Sequence, residues 1–148
     1  EIIVRAVICR NDYLLLARQR TKSWSFLPGG HVEPGERVEV ALVREIAEEL
    51  GTDAKIAGFV GVVEHGYIED DVAHHELNLV FEVAITDGEP VSQEDHLEFY
   101  WLPLDQLADT DMLPGALKNA LLSTGNDRTP FWHGWHGWAD GSTFDLPA

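Results

Sequence analysis

The alternation of apolar and polar positions divides the chain into several short strand-like segments and two helical ones. Residues 2–9 are rich in β-branched side chains and read as a strand; Asn11-Asp12 marks a turn, and residues 13–17 read as the returning strand. Residues 24–27 form a short apolar segment closed by a turn at Pro28-Gly29-Gly30, and Glu33-Pro34-Gly35-Glu36 is a second turn. Residues 37–50 carry a helical period, with Gly51 placed to cap the C-terminus. Residues 57–64 and 77–84 read as two more strands, with Asp70-Asp71 and the neighbouring histidines in a loop between them. Residues 99–102 read as a further strand, 105–107 as a turn or short helix, and 114–122 as a second helix with Pro114 in its first turn. The tail, residues 123–148, is rich in Gly, Trp and His and has no clear period. No repeat and no linker divides the chain. Strands mixed with two helices predict a single domain over residues 1–148, of α/β or α+β class.

Composition narrows the setting. At 148 residues and 45% apolar content the chain has the size and makeup of one folded unit. Its one cysteine, Cys9, lies in an apolar run and is expected as a small buried hydrophobe. With no intramolecular disulfide available, a reducing compartment, the cytoplasm, is the expected location. No apolar stretch approaches the roughly 20 residues a bilayer requires, so no membrane partner is expected. The chain starts without an initiator methionine inside a strand-like run, which leaves native sequence upstream of Glu1 open. Ten Lys and Arg against 26 Asp and Glu give a formal net charge of −16, which argues against a nucleic-acid duplex as partner. An acidic protein still binds phosphates when it first captures divalent cations, so the charge fits a metal–carboxylate site.

The informative stretch runs over residues 30–52. At about 100° per residue the helix brings Glu45, Glu48 and Glu49 to one face, with Val43, Ile46, Ala47 and Leu50 opposite, predicted to pack on a sheet. Like charges so placed repel by a few tenths of a kcal/mol per pair. A hard cation such as Mg²⁺ or Mn²⁺, which prefers carboxylate oxygens, offsets that repulsion. Arg44 adds a compensating charge, and Glu36 on the preceding loop is spaced to accept a bidentate bond from it.

Gly30, five residues, Glu36, seven residues, then Arg44-Glu45-Ile46-Ala47-Glu48-Glu49-Leu50-Gly51 resembles the Nudix box. At roughly one chance in twenty per position, seven fixed matches arise with a probability of about 10⁻⁹, which sets aside an ordinary acidic amphipathic helix. The departure is Thr52, where the family usually has an aliphatic residue. The resemblance implies a Nudix fold, a mixed central sheet between helices with the box as a loop-helix-loop. It implies Mg²⁺ or Mn²⁺ held by Glu45, Glu48 and Glu49, often with the Gly30 carbonyl, and Arg44 orienting Glu45. It implies water attack on a phosphorus of a nucleotide-like substrate, with the base a box glutamate or a carboxylate on a later loop. Glu94, in an acidic segment before a Trp-containing strand, is the first candidate for an added ligand or base, and Glu98 the second.

Substrate choice lies outside the box. Tyr67 falls where some dinucleoside polyphosphate hydrolases of the family carry a tyrosine. The proline usual in ADP-ribose hydrolases has no counterpart between Pro34 and Pro90, and no counterpart appears of the asparagine with which MutT-type enzymes read an oxidised guanine. Arg18, Arg20 and Lys22 are candidates for substrate phosphates, with plain surface charge the alternative; His74 and His75 are further, weaker candidates. The aromatic run Phe131 to Trp138 packs on its own domain, pairs with a second subunit as a homodimer, or covers a base. The alternatives to a hydrolase are a Nudix-fold nucleotide sensor that does not cleave, or another reaction on the scaffold such as isopentenyl diphosphate isomerisation or RNA cap removal. The intact box counts against the first; the short chain, the single Cys9 and the acidic charge count against the second.

Overall fold

A computed structural model of the chain describes residues 1–86, 88–125 and 127–137. The elements run β1 (Ile2–Val7), β2 (Cys9–Arg10), β3 (Tyr13–Gln19), β4 (Gly29–His31), α1 (Val38–Leu50), β5 (Ala54–Glu69), β6 (Val72–Ile85) and β7 (Leu97–Pro103). A 3-10 helix (Leu104–Asp109), α2 (Gly115–Thr124) and β8 (Phe131–His133) complete them. The fold is a mixed α+β arrangement around a five-stranded sheet of order β4-β1-β6-β5-β8, with β1–β6 and β5–β8 parallel and the other pairs antiparallel. A second, three-stranded sheet has the order β2-β3-β7. No helix among the described residues is long and apolar enough to cross a membrane.

Strand alternation sorts side chains onto the two faces of the large sheet. Val4 and Ala6 of β1 and Phe81 and Val83 of β6 pack with Ala41, Leu42, Ile46 and Leu50 of α1. On the other face Val7, Val63 and Val80 pack with Leu14 and Leu16 of β3 and Leu117 of α2. Arg5, between Val4 and Ala6, therefore points to the face away from α1, as do Glu76 and Asn78 of β6, which alternate with it in step with Val80.

Several sequence expectations change. Gly29-Gly30, read as a turn, form an edge strand whose register is Val4↔Gly30 and Arg5↔Gly29; glycines lack the side chains that make a strand legible. The histidines placed in a loop are on strands: β5 and β6 pair from Ala54↔Ile85 to Glu69↔Val72. Only Asp70 and Asp71 turn the chain, both at positive φ (49° and 62°), as a two-residue hairpin requires. The outer half of this hairpin lies beyond the core, so apolar alternation does not mark it. On α1, Ala41 and Leu42 are buried, whereas Val43 and Ala47 are exposed; the helix is rolled so that Glu49 turns inward. Cys9, expected inside, is exposed on the short β2. The tail holds a strand, β8, and Trp135 lies over Gly66, where a Cβ would overlap its ring, and against His75 at 5.5 Å. Of the aromatic run, Trp135 packs on its own domain, whereas Trp132 is 63% exposed, and Trp138 lies outside the described residues.

Candidate active site

Two glycines of β4 bring the α1 carboxylates against the sheet edge. At Gly29, with φ +145°, a Cβ would strike the Val4 carbonyl of β1, so glycine there permits the strand pairing. At Gly30 a Cβ would overlap the Glu45 carboxylate, so glycine there leaves the carboxylate its place. The Gly29 amide donates to Glu49 Oε2 at 3.3 Å. Glu49 is 5% exposed, and burial pushes its carboxyl up to about 8, opposed by the Gly29 bond and reinforced by Glu45 and Glu94. Burial raises the Glu45 carboxyl as well, opposed by Arg44.

Arg44 ties the loop to the helix with all three of its guanidinium nitrogens. Nε donates to Glu36 Oε2 at 2.8 Å and Nη2 to Glu36 Oε1 at 2.9 Å, the bidentate bond that the spacing suggests. Nη2 also donates to the His31 carbonyl at 3.1 Å, while Nη1 donates to Glu45 at 3.0 Å and to Glu48 at 3.3 Å. The Arg44 bonds and the Glu33 amide hold the Glu36 carboxyl down at about 2. Gly51 caps the helix in the left-handed region, its amide bonded to Ala47 O at 2.9 Å. Thr52, the departure from the box, shares a 2.6 Å hydrogen bond with Thr86 Oγ1; an aliphatic residue has no such partner.

The Gln93 amide donates to the Glu49 carbonyl at 2.8 Å, pinning the loop before β7 to the end of α1. Glu94 is thereby brought close enough for its charge to act on both Glu45 and Glu49. Among the described residues no three His, Cys, Asp or Glu side chains are drawn into one ready metal shell, Glu48 being turned to Arg44. The donor set nevertheless fits a hard divalent cation. All the donors are carboxylate oxygens, two of those carboxylates are held against their own ionisation by burial and mutual repulsion, and the Gly30 backbone lies under one of them.

On the face of the large sheet away from α1, over β1, β6 and β5, is a cleft of about 520 Å³. Trp24, Phe26, His65 and Tyr67 give it aromatic walls, and Arg5, Lys22 and Glu76 supply charge. Glu76 is 7% exposed; Tyr67 Oη donates to its Oε1 at 3.2 Å and Asn78 Nδ2 to its Oε2 at 3.3 Å. Tyr67 stacks on His74 with ring centroids 4.6 Å apart, and burial together with Glu76 pushes its phenol up to about 12.

The structure therefore brings Gly30, Glu36, Arg44, Glu45, Glu48, Glu49 and Glu94 together along α1 and its flanking loops, and places Tyr67 and Lys22 in the cleft. It places Arg18 and Arg20 elsewhere: both pair with Glu98, at 2.7 and 3.6 Å, and neither lines the cleft. Glu98 is thus engaged by two arginines. His74 is engaged by Glu1 and Tyr67, and His75 by Glu64 on the opposite face of the hairpin. Sequence reasoning missed Arg5, Glu76 and Asn78. One signal was available: Arg5 is a charge inside an apolar strand, where a polar residue is the informative exception.

Residues 1–121 match the family model described as the NUDIX domain. A curated relative, the ADP-ribose pyrophosphatase of Methanocaldococcus jannaschii, is 33% identical over 109 residues, 72% of this chain and 63% of its own length. The NAD-capped RNA hydrolase NudC of Pseudomonas aeruginosa is 36% identical over 108 residues, 68% of this chain but 35% of its own length. The chain thus spans less than two thirds of either relative. Among solved structures, the MutT NUDIX hydrolase from Burkholderia pseudomallei superposes with a TM-score of 0.66 at 32% identity, covering 82% of this chain and 95% of that one.

Proposed function

The chain belongs to the NUDIX family, and from that premise we infer that it hydrolyses a diphosphate linkage in a nucleotide-like substrate with the help of Mg²⁺ or Mn²⁺. The observation that carries this reading is the packing of the Glu45 and Glu49 carboxylates on the Gly29-Gly30 backbone, where burial disfavours their charge. Glu45, Glu48 and Glu49 would hold the cation, with Glu94 and the Gly30 carbonyl as further oxygen donors. When bound, it offsets charge on the diphosphate oxygens and makes water easier to deprotonate. Arg44 acts as a positioning residue, fixing Glu45 through Nη1 while Glu36 fixes the guanidinium. Water attacks phosphorus, the bridging P–O bond breaks, and the proton passes to a carboxylate, Glu94 or a box glutamate. The cleft on the other face of the sheet is sized and walled for the nucleoside part.

The two relatives act, by their names, on ADP-ribose and on NAD-capped RNA. Both compounds join a nucleoside to a diphosphate, which is the substrate class supported here. The test is product analysis after incubation with Mg²⁺ and nucleoside triphosphates, nucleotide sugars, ADP-ribose or dinucleoside polyphosphates, beside Glu48→Gln. Cleavage lost in the variant is the expected result. Tight binding with no turnover anywhere would favour a nucleotide sensor.

A further inference from the structure

The least expected charge in the chain is Arg5. It sits on β1, half-buried, on the face of the sheet that lines the cleft. Its Nε donates to Asn78 Oδ1 at 3.4 Å and its Nη1 to the Leu27 carbonyl at 3.1 Å, both neutral acceptors. The guanidinium also lies over the Phe26 ring, 5.7 Å from its centroid. Among the described residues Arg5 forms no ion pair, although the chain carries a net charge of −16. The nearby buried carboxylate, Glu76, is reached only through Asn78, whose amide bonds Arg5 on one side and Glu76 on the other. Nη2 has no hydrogen-bond partner among these residues. No buried side-chain polar atom among them lacks one, so Nη2 is open to the cleft.

A half-buried cation costs free energy unless an anion meets it. Here no carboxylate bonds the guanidinium directly, although Glu76 and Glu49 act on it at longer range; Nε is tied to Asn78 and Nη1 to Leu27, which leaves Nη2 free. Lys22, a second cation of the same cleft, makes no side-chain hydrogen bond among the described residues. We propose that Arg5 is a specificity-determining residue of the cleft, its free Nη2 binding a phosphate oxygen of a nucleotide whose base lies between the aromatic walls. Arg5 is within electrostatic reach of Glu45 and Glu49 across the β4 edge, so the bound phosphate is the one next to the nucleoside, with the scissile linkage beyond it. This last placement rests on the function proposed above; the binding of phosphate by Arg5 does not.

The experiment compares, by calorimetry in the presence of a chelator, binding of AMP against adenosine and of GMP against guanosine to the whole protein. The chelator removes any cation that would itself hold the phosphate. A charge-assisted hydrogen bond makes the monophosphate of at least one pair bind about tenfold tighter than its nucleoside. That ratio falls toward one in Arg5→Gln and is partly kept in Arg5→Lys. A wild type that binds both members of each pair equally, or binds neither, overturns the proposal, as does a folded Arg5→Gln that keeps the ratio. If Arg5→Gln does not fold, the guanidinium NMR signals of Arg5 in the wild type decide. They shift with the monophosphate and not with the nucleoside, and equal response to both overturns the proposal. Hydrolysis is scored separately: an Arg5-dependent ratio without turnover retires the enzyme reading and keeps this one.

Discussion

At the scale of single residues, Arg44 is the joint on which the site turns, because it spends every donor nitrogen on the loop and the carboxylates at once. Lysine keeps the charge but has no planar fork to engage Glu36 and Glu45 together. Arg44→Lys is therefore expected to lower kcat by about 10–100-fold with little change in KM, measured by steady-state kinetics on the substrate found in the panel. Tyr67 gives a second test, independent of activity. Its phenol is held neutral to about 12, whereas an ordinary one ionises near 10. Because the folded-state value is the raised one, its contribution to stability is present below about pH 10 and is lost as pH rises toward about 12. A near-ultraviolet titration should show a late phenolate step that disappears in Tyr67→Phe. The two residues also differ in how legible they were. Arg44 meets partners within one loop and helix, so spacing alone suggested its bond to Glu36. Tyr67 was noticed by position, but its partner Glu76 faces it across a hairpin whose register the sequence does not print. Arg5 depends on Asn78, 73 residues away, and on Leu27.

At the scale of elements, the short strand β4 decides how the helix meets the sheet. Gly29 and Gly30 adjoin in sequence but answer to different neighbours, which yields opposite predictions for the same substitution. Gly30→Ala pushes against the tip of Glu45, so the protein should melt close to wild type while hydrolysis falls sharply. Gly29→Ala puts a methyl on the Val4 carbonyl at φ +145° and should destabilise by about 2 kcal/mol or more. Thermal melts by circular dichroism and activity assays on both variants separate the two roles; equal loss of stability would refute the assignment. The sequence expectation of a turn here was reasonable, since glycines beside a proline carry no strand pattern. α1 shows the same limit. Its period is plain, but apolarity alone puts Val43 and Ala47 on the buried face, where the structure has them exposed. Placing Glu49 on β4 requires a rolled helix, with Ala41 and Leu42 taking the inner positions.

At the scale of the molecule, the large sheet separates two chemistries that meet at one edge. Carboxylates of α1 gather on one side, and an aromatic cleft whose two cations form no ion pair among the described residues opens on the other. A net charge of −16 surrounds both, so the fold carries general self-repulsion as well as local repulsion among Glu45, Glu49 and Glu94. Salt and divalent cations act on these differently. NaCl screens the general term and should raise the melting temperature gradually, since screening does not depend on any one side chain. MgCl₂ at matched ionic strength adds binding to the folded state alone, worth about 2.7 kcal/mol at a hundredfold excess over Kd, which for a chain of this size is a rise of about 5 °C or more. That excess over NaCl should vanish in Glu49→Gln, whereas the NaCl response should persist. If Mg²⁺ and Na⁺ at equal ionic strength act alike on the wild type, the carboxylates at β4 are surface charge like the rest, and the metal-dependent reading fails with them.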